Sequence, residues 1–224
     1  MLNTDELTYI SSRLDFWNKL STSERNLIEN NIANVSYKKG INLHSSDSEC
    51  LGVLLIKSGA LRVYILSEDG REVTLYRLSI GDVCVLSASC ILNSITFDVH
   101  IDAESDTDAF LINIGAFSRL SSQNVYVENF AYKNTIERFS DVMWAMEQIL
   151  FMSFDKRLAI FLFDELTKTN STTLHITQEQ IAKYIGSARE VVSRMLKVFQ
   201  SEGILEQSRG SIHIINKEKL KELI

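Results

Sequence analysis

The chain has 224 residues, 45% hydrophobic and 23% charged, with a net charge of −6, which suits one large or two small globular domains. No run reaches the roughly 18 apolar residues of a membrane span, and the opening "MLNTDELTYISSRLDF" lacks the layout of a secretory leader. Three cysteines (Cys50, Cys84, Cys90) are too few for a disulfide scaffold, so the expected location is cytoplasmic, with no membrane partner.

Charge is divided unevenly. Residues 1–154 carry 12 Lys and Arg against 20 Asp and Glu, whereas residues 155–224 carry 11 against 9. A less acidic C-terminal part is a modest pointer to nucleic acid.

Along the chain, the first 20 or so residues predict a helix, with Ile10, Leu14, Trp17 and Leu20 at helical spacing. From Val35 to about Phe117, short β-rich runs such as "CLGVLLIKSG", "ALRVYIL", "EVTLYRL" and "DAFLINI" alternate with glycine or polar turns. That spacing predicts a small antiparallel barrel or roll. Within it, Asp69-Gly70 in "SEDGRE" predicts a tight hairpin turn built on positive φ values. From Ser118 the period becomes helical. Val125, Asn129, Tyr132, Ile136, Phe139, Met143, Met146 and Leu150 follow alternating steps of four and three, an a/d heptad series with one polar entry. Such a stripe can pack on its own domain or meet a second copy. The seam Tyr132, Ile136, Phe139, Met143, Met146 and Leu150 is assigned to a homodimer. "DKRLAIFLFDELTKTN" continues as another amphipathic helix.

Two capping-box patterns then stand ten residues apart, Thr177-x-x-Gln180 and Ser187-x-x-Glu190. The first opens a short helix, Gly186 permits a sharp turn, and Ser187 is expected to cap a second helix starting at Ala188. On a wheel of about 100° per residue, Arg189, Ser193, Lys197, Glu190 and Arg194 share an arc of roughly 140°. Ala188, Val191, Val192, Met195, Leu196 and Phe199 take the opposite side. The tail "GILEQSRGSIHIIN" reads as strand, Ser-Arg-Gly turn, strand, the wing of a winged helix. Any surface helix has a polar face, but a capped helix, a glycine turn and a wing around this one point to DNA. Arg189 and Arg194 can fork onto guanine, and Glu190 can accept from cytosine. Thr177, Gln178, Ser187, Ser193 and Lys197 are placed to hold phosphates.

The stretch "ITQEQIAKYIGSAREVVSRMLKVFQSEGIL" (176–205), with "SGALRVY", "EDGREVTLYRLSIGD" and the heptad helix, resembles the Crp/Fnr family of bacterial transcription regulators. The resemblance implies an α+β fold: a cyclic-nucleotide-binding-like β-roll at 1–120, a dimerisation helix at 121–152 and a winged helix-turn-helix at 153–224. It places Arg189, Glu190 and Arg194 at base-reading positions of the recognition helix. It also implies a dimer on a palindromic duplex with half-sites about one turn apart, and contact with RNA polymerase.

The roll departs from the cyclic-AMP-binding members. In these a Gly-Glu pair follows the Gly-Asp turn to hold the ribose, and an Arg-Ser pair further on grips the phosphate. Here Val85 and Leu86 follow Gly81-Asp82, and Phe97-Asp98 stand near the Arg-Ser position. Arg77 is the only arginine or lysine from Glu72 to Phe117, whereas Asp98, Asp102, Glu104, Asp106 and Asp108 crowd the stretch 98–108. A pocket lined by those acids would repel phosphate, so cyclic AMP is disfavoured as effector. An iron–sulfur cluster wants four thiolates, more than the chain has. Cys84, Cys90 and His100 are the candidate effector or redox residues, with the cysteines equally readable as small buried hydrophobes. No nucleophile–base pair, phosphate loop or metal-ligand spacing suggests an enzyme. The rival reading is a redox or small-molecule sensor whose winged helix mediates protein interaction.

Overall fold

The computed structural model describes residues 2–44, 52–85 and 99–224. The chain packs as two units, Met1–Ile65 with Leu75–Val142, and Leu66–Thr74 with Met143–Ile224.

In the first unit, α1 (Thr4–Arg13) starts at a reciprocal cap: Asn3 Oδ1 accepts from Glu6 N, and Glu6 Oε2 accepts from Asn3 N. The expected helix over the first 20 residues is broken. Leu14 is extended, a 3-10 turn follows at Trp17–Lys19, and α2 (Thr22–Glu29) begins afresh. A second capping box, Ser21 with Glu24, starts α2. Ile10, Leu14, Trp17 and Leu20 are all buried nonetheless.

Among the described residues, eight strands form two antiparallel four-stranded sheets. The first has the order β1 (Ile32–Tyr37), β8 (Thr107–Ile112), β3 (Val53–Ser58) and β6 (Val83–Cys84). The second runs β2 (Asn42–His44), β7 (His100–Ala103), β4 (Leu61–Leu66) and β5 (Glu72–Leu78). The unbroken apolar run at the head of β3 is explained by burial on both faces. Val53 and Leu55 pack with Ile10, Phe16, Phe110 and Phe117, whereas Leu54 and Ile56 pack with Leu61, Val63 and Ile101. The β4–β5 connection is a five-residue loop rather than a two-residue turn. Ser67 N donates to Arg71 O, Gly70 N donates to Ser67 O, and only Gly70 of the Asp-Gly pair takes a positive φ.

Helix α3 (Ile114–Gln123) starts four residues before the expected switch at Ser118, because Asn113 Oδ1 caps the amides of Gly115 and Ala116. Then α4 (Val125–Phe151) runs for 27 residues. None of the described helices is long and apolar enough to cross a membrane.

The second unit is built on α5 (Phe154–Thr169), α6 (Gln178–Ile185) and α7 (Arg189–Ser201), a sheet of order β10 (Leu205–Ser208), β11 (Ser211–Ile214), β9 (Thr173–Leu174), and α8 (Lys217–Glu222). Its core joins Leu158 and Leu162 to Ile181, Val192, Leu196, Phe199, Leu205 and Ile212. Within this unit Lys183 Nζ pairs with Glu72 at 2.9 Å, and Thr74 Oγ1 donates to Lys183 O at 3.0 Å. Leu196 is fully buried. Leu196→Ala is therefore expected to cost about 2–5 kcal/mol, read as a lowered urea midpoint for this unit.

Candidate nucleic-acid interface

Thr177 caps α6 as its sequence predicts: Thr177 Oγ1 accepts from Gln180 N at 3.1 Å, and Gln180 Oε1 accepts from Thr177 N at 2.9 Å. The Thr177 hydroxyl proton also goes to Gln180 Oε1. This leaves the first free amides of α6, those of Gln178 and Glu179, as the outward donors of the helix start. Gly186 ends α6 in the left-handed region, with φ +62. Its neighbour Ser187 donates its backbone N–H to Ala182 O at 2.9 Å. That closure retains Ser187 in the turn, so the expected Ser187 cap is corrected. Ala188 is the N-cap of α7, with no side-chain cap, and the helix starts at Arg189. Arg157 Nη1 adds a further restraint by donating to Ile185 O at 3.0 Å.

The segregation read on the helical wheel holds in three dimensions except at Ala188, which is exposed. Val192, Leu196 and Phe199 are buried, whereas Arg189, Glu190, Arg194 and Lys197 are exposed and Ser193 is half-buried. Among the described residues, no hydrogen bond or ion pair engages Arg189, Glu190, Arg194 or Lys197. Gln178, Arg189, Glu190, Ser193 and Arg194 line one open cleft of about 500 Å³. A neighbouring cleft of about 460 Å³ is lined by Thr177, Gln178, Arg189, Gln207 and the turn Ser208–Ser211. It brings Arg209 beside the recognition face. The "SRG" turn in the sequence signals a wing, but the approach of Arg209 to Arg189 arises only from packing.

On α4 the heptad seam is exposed. Ile136, Phe139 and Leu150 are 64, 62 and 64% exposed, and Tyr132, Met143 and Met146 are also exposed. Val127, Phe130 and Ala131, on the other side of the helix, are buried in the core.

Cys84 and His100 do not converge. Cys84 is buried in the cluster that holds Ile101. His100, adjacent to Ile101 on β7, points to the opposite face by strand alternation and stacks on Tyr64 at 5.2 Å. Cys90 lies outside the described residues, as do Leu86, Phe97 and Asp98. Among the described residues no group of three or more His, Cys, Asp or Glu is arranged to hold a metal. Three acids of the stretch 98–108 are engaged in ion pairs. Ile101 and Ala103 point into the core, which turns Asp102 outward to pair with Arg62. Glu104 pairs with Arg77, and Asp106 with Lys38.

A buried polar cluster missed in the sequence lies in the first unit. Tyr76 is 7% exposed, and among the described residues its hydroxyl makes no hydrogen bond. The Arg138 guanidinium sits 5.3 Å from the Tyr76 ring centroid and pairs with Asp141 at 2.9 Å. Burial pushes the Tyr76 hydroxyl well above the usual phenol range, with nearby Cys84 adding to the shift. Desolvation likewise raises Asp141.

A capped short helix, a fixed turn, a longer helix with an outward polar face and a two-stranded wing define a winged helix-turn-helix, a DNA-binding class. Residues 156–223 match the Crp-like helix-turn-helix domain. The chain is 45% identical to a Eubacterium rectale protein described as a transcriptional regulator of the Crp/Fnr family, with a TM-score of 0.92 over 95% of this chain and 99% of that one. It is 25% identical to the fumarate and nitrate reduction regulatory protein of Vibrio cholerae, over 83% of this chain and 76% of that one. It is also 23% identical to the cAMP-activated global transcriptional regulator of Pasteurella multocida, over 73% of this chain and 80% of that one. The chain belongs to the Crp/Fnr family of transcription regulators.

Proposed function

We propose that the protein reads a palindromic duplex as a homodimer, with α7 in the major groove. Arg189 and Arg194 fork onto guanines and Glu190 accepts from cytosine. The amides at the start of α6, with Gln178, Ser187, Ser193 and Lys197, hold phosphates. The single observation that carries this reading is the outward Arg189/Glu190/Arg194 face, which no intramolecular ion pair consumes. Dimerisation through Tyr132, Ile136, Phe139, Met143, Met146 and Leu150 sets the two helices one turn of duplex apart. RNA polymerase is the further partner that family membership suggests.

The effector is assigned to the roll and is not a cyclic nucleotide. Val85, which follows the Gly81-Asp82-Val83-Cys84 stretch, fills core space. Beside Cys84 and His100, Tyr76 and Arg138 are further candidates, because among the described residues the buried Tyr76 hydroxyl and Arg138 Nε have no acceptor. A small ligand carrying a carbonyl or carboxylate oxygen would meet that need.

Selection of bound duplexes from a random pool tests the proposal. The expected product is a two-fold symmetric site with guanine in each half; indifference to sequence at moderate salt would sink it. Arg209 adds a quantitative check. If it neutralises a phosphate, Arg209→Ala weakens all duplexes alike and lowers the slope of log affinity on log salt by about 1 per wing.

A further inference from the structure

Three glutamines from three elements meet beside the wing. Gln178 Nε2 donates to Gln207 Oε1 at 3.1 Å, and Gln207 Nε2 donates to Gln200 Oε1 at 3.0 Å. Gln178 is the first residue of α6, Gln207 lies on β10, and Gln200 lies in the last turn of α7. The amide of Gln207 therefore ties both helices of the helix-turn-helix to the wing.

Position gives this relay its meaning. Gln178 and Arg189 are the two residues shared by the recognition cleft and the wing cleft, so Gln178 stands on the ridge between them. A glutamine on a surface ridge normally samples many rotamers, and ordering it on binding opposes association. Here one N–H of Gln178 is already engaged, which fixes the plane of its amide. The second N–H and Oε1 remain available to the duplex. Gln207 itself has both ends of its amide engaged inside the protein.

We propose that Gln207 is a positioning residue for DNA binding, one that presets the Gln178 amide. This rests on the DNA-reading function proposed above. The test uses the full chain and the duplex recovered by selection. Gln207→Leu retains the bulk but removes the amide, and is expected to lower affinity about five-fold, the scale of one lost hydrogen bond. The salt slope stays unchanged, because no charge is removed. Gln178→Ala should give a similar loss, and the double variant no more than Gln178→Ala alone, since one substitution acts through the other.

Additive losses, or full affinity in Gln207→Leu, overturn the proposal. A second measurement needs no DNA: the side-chain amide NMR signals of Gln178 and Gln200 should both move in Gln207→Leu, and unmoved signals overturn the relay alone. Failure of the unaltered protein to prefer any duplex overturns instead the DNA reading on which the relay's role depends.

Discussion

Arg194→Ala is expected to weaken specific binding by about 1–3 kcal/mol, roughly five- to 160-fold, while leaving folding unchanged. The side chain is exposed and has no intramolecular ion pair, so its removal strips nothing from the core. It lines the recognition cleft with Arg189 and Glu190, five residues and about one and a half turns along α7 from Arg189. A fork at that height reaches a base step displaced from the one facing Arg189. The loss should therefore appear as relaxed discrimination at a single position of each half-site. Arg194→Lys separates geometry from charge. It retains the cation and the salt slope but loses the paired donors that match guanine. Competition between the selected duplex and single-base variants measures both. Equal weakening on every variant would reduce Arg194 to a phosphate contact.

The helix-turn-helix was legible because its determinants are local. Thr177 and Gln180 cap α6 within four residues, Gly186 supplies the one left-handed residue of the turn, and the apolar arc of α7 follows its 3.6-residue period. Even there, Ser187 was misplaced as a cap, because closing α6 onto Ala182 consumes its backbone N–H. Sequence spacing alone does not reveal that competition. The ion pairs of the acidic stretch were not legible for a different reason. Composition counts the charges but not the face to which strand alternation turns them, nor the cations, Arg62, Arg77 and Lys38, that meet them. Tyr76 with Arg138, and Arg209 with Arg189, are far apart in sequence and carry no motif. Tertiary packing alone makes them neighbours.

Phe139→Asp is expected to convert a dimer into single chains and to reduce DNA affinity by two or more orders of magnitude. The argument begins with the two sides of α4. Val127, Phe130 and Ala131 bury themselves in their own unit, whereas Tyr132, Ile136, Phe139, Met143, Met146 and Leu150 leave a continuous apolar seam in water. Burying one such side chain fully contributes about 1.5–3 kcal/mol, so a seam of six against its symmetric copy can outweigh the cost of association. Asn129, the polar entry of the series, would hold the two helices in one register. In a two-fold pairing an aspartate at 139 lies close to its own copy, which places two carboxylates in an apolar seam. Sedimentation should then report the 25.5 kDa of one chain rather than twice that mass. Each half-site would be bound alone, forfeiting the 10²- to 10⁴-fold gain of linked binding, although α7 itself is untouched. Since Phe139 is 62% exposed in the single chain, the variant should retain its thermal midpoint at dilutions where both proteins are monomeric. A Phe139→Asp protein that still sediments as a dimer and binds its duplex undiminished would place the contact between copies elsewhere.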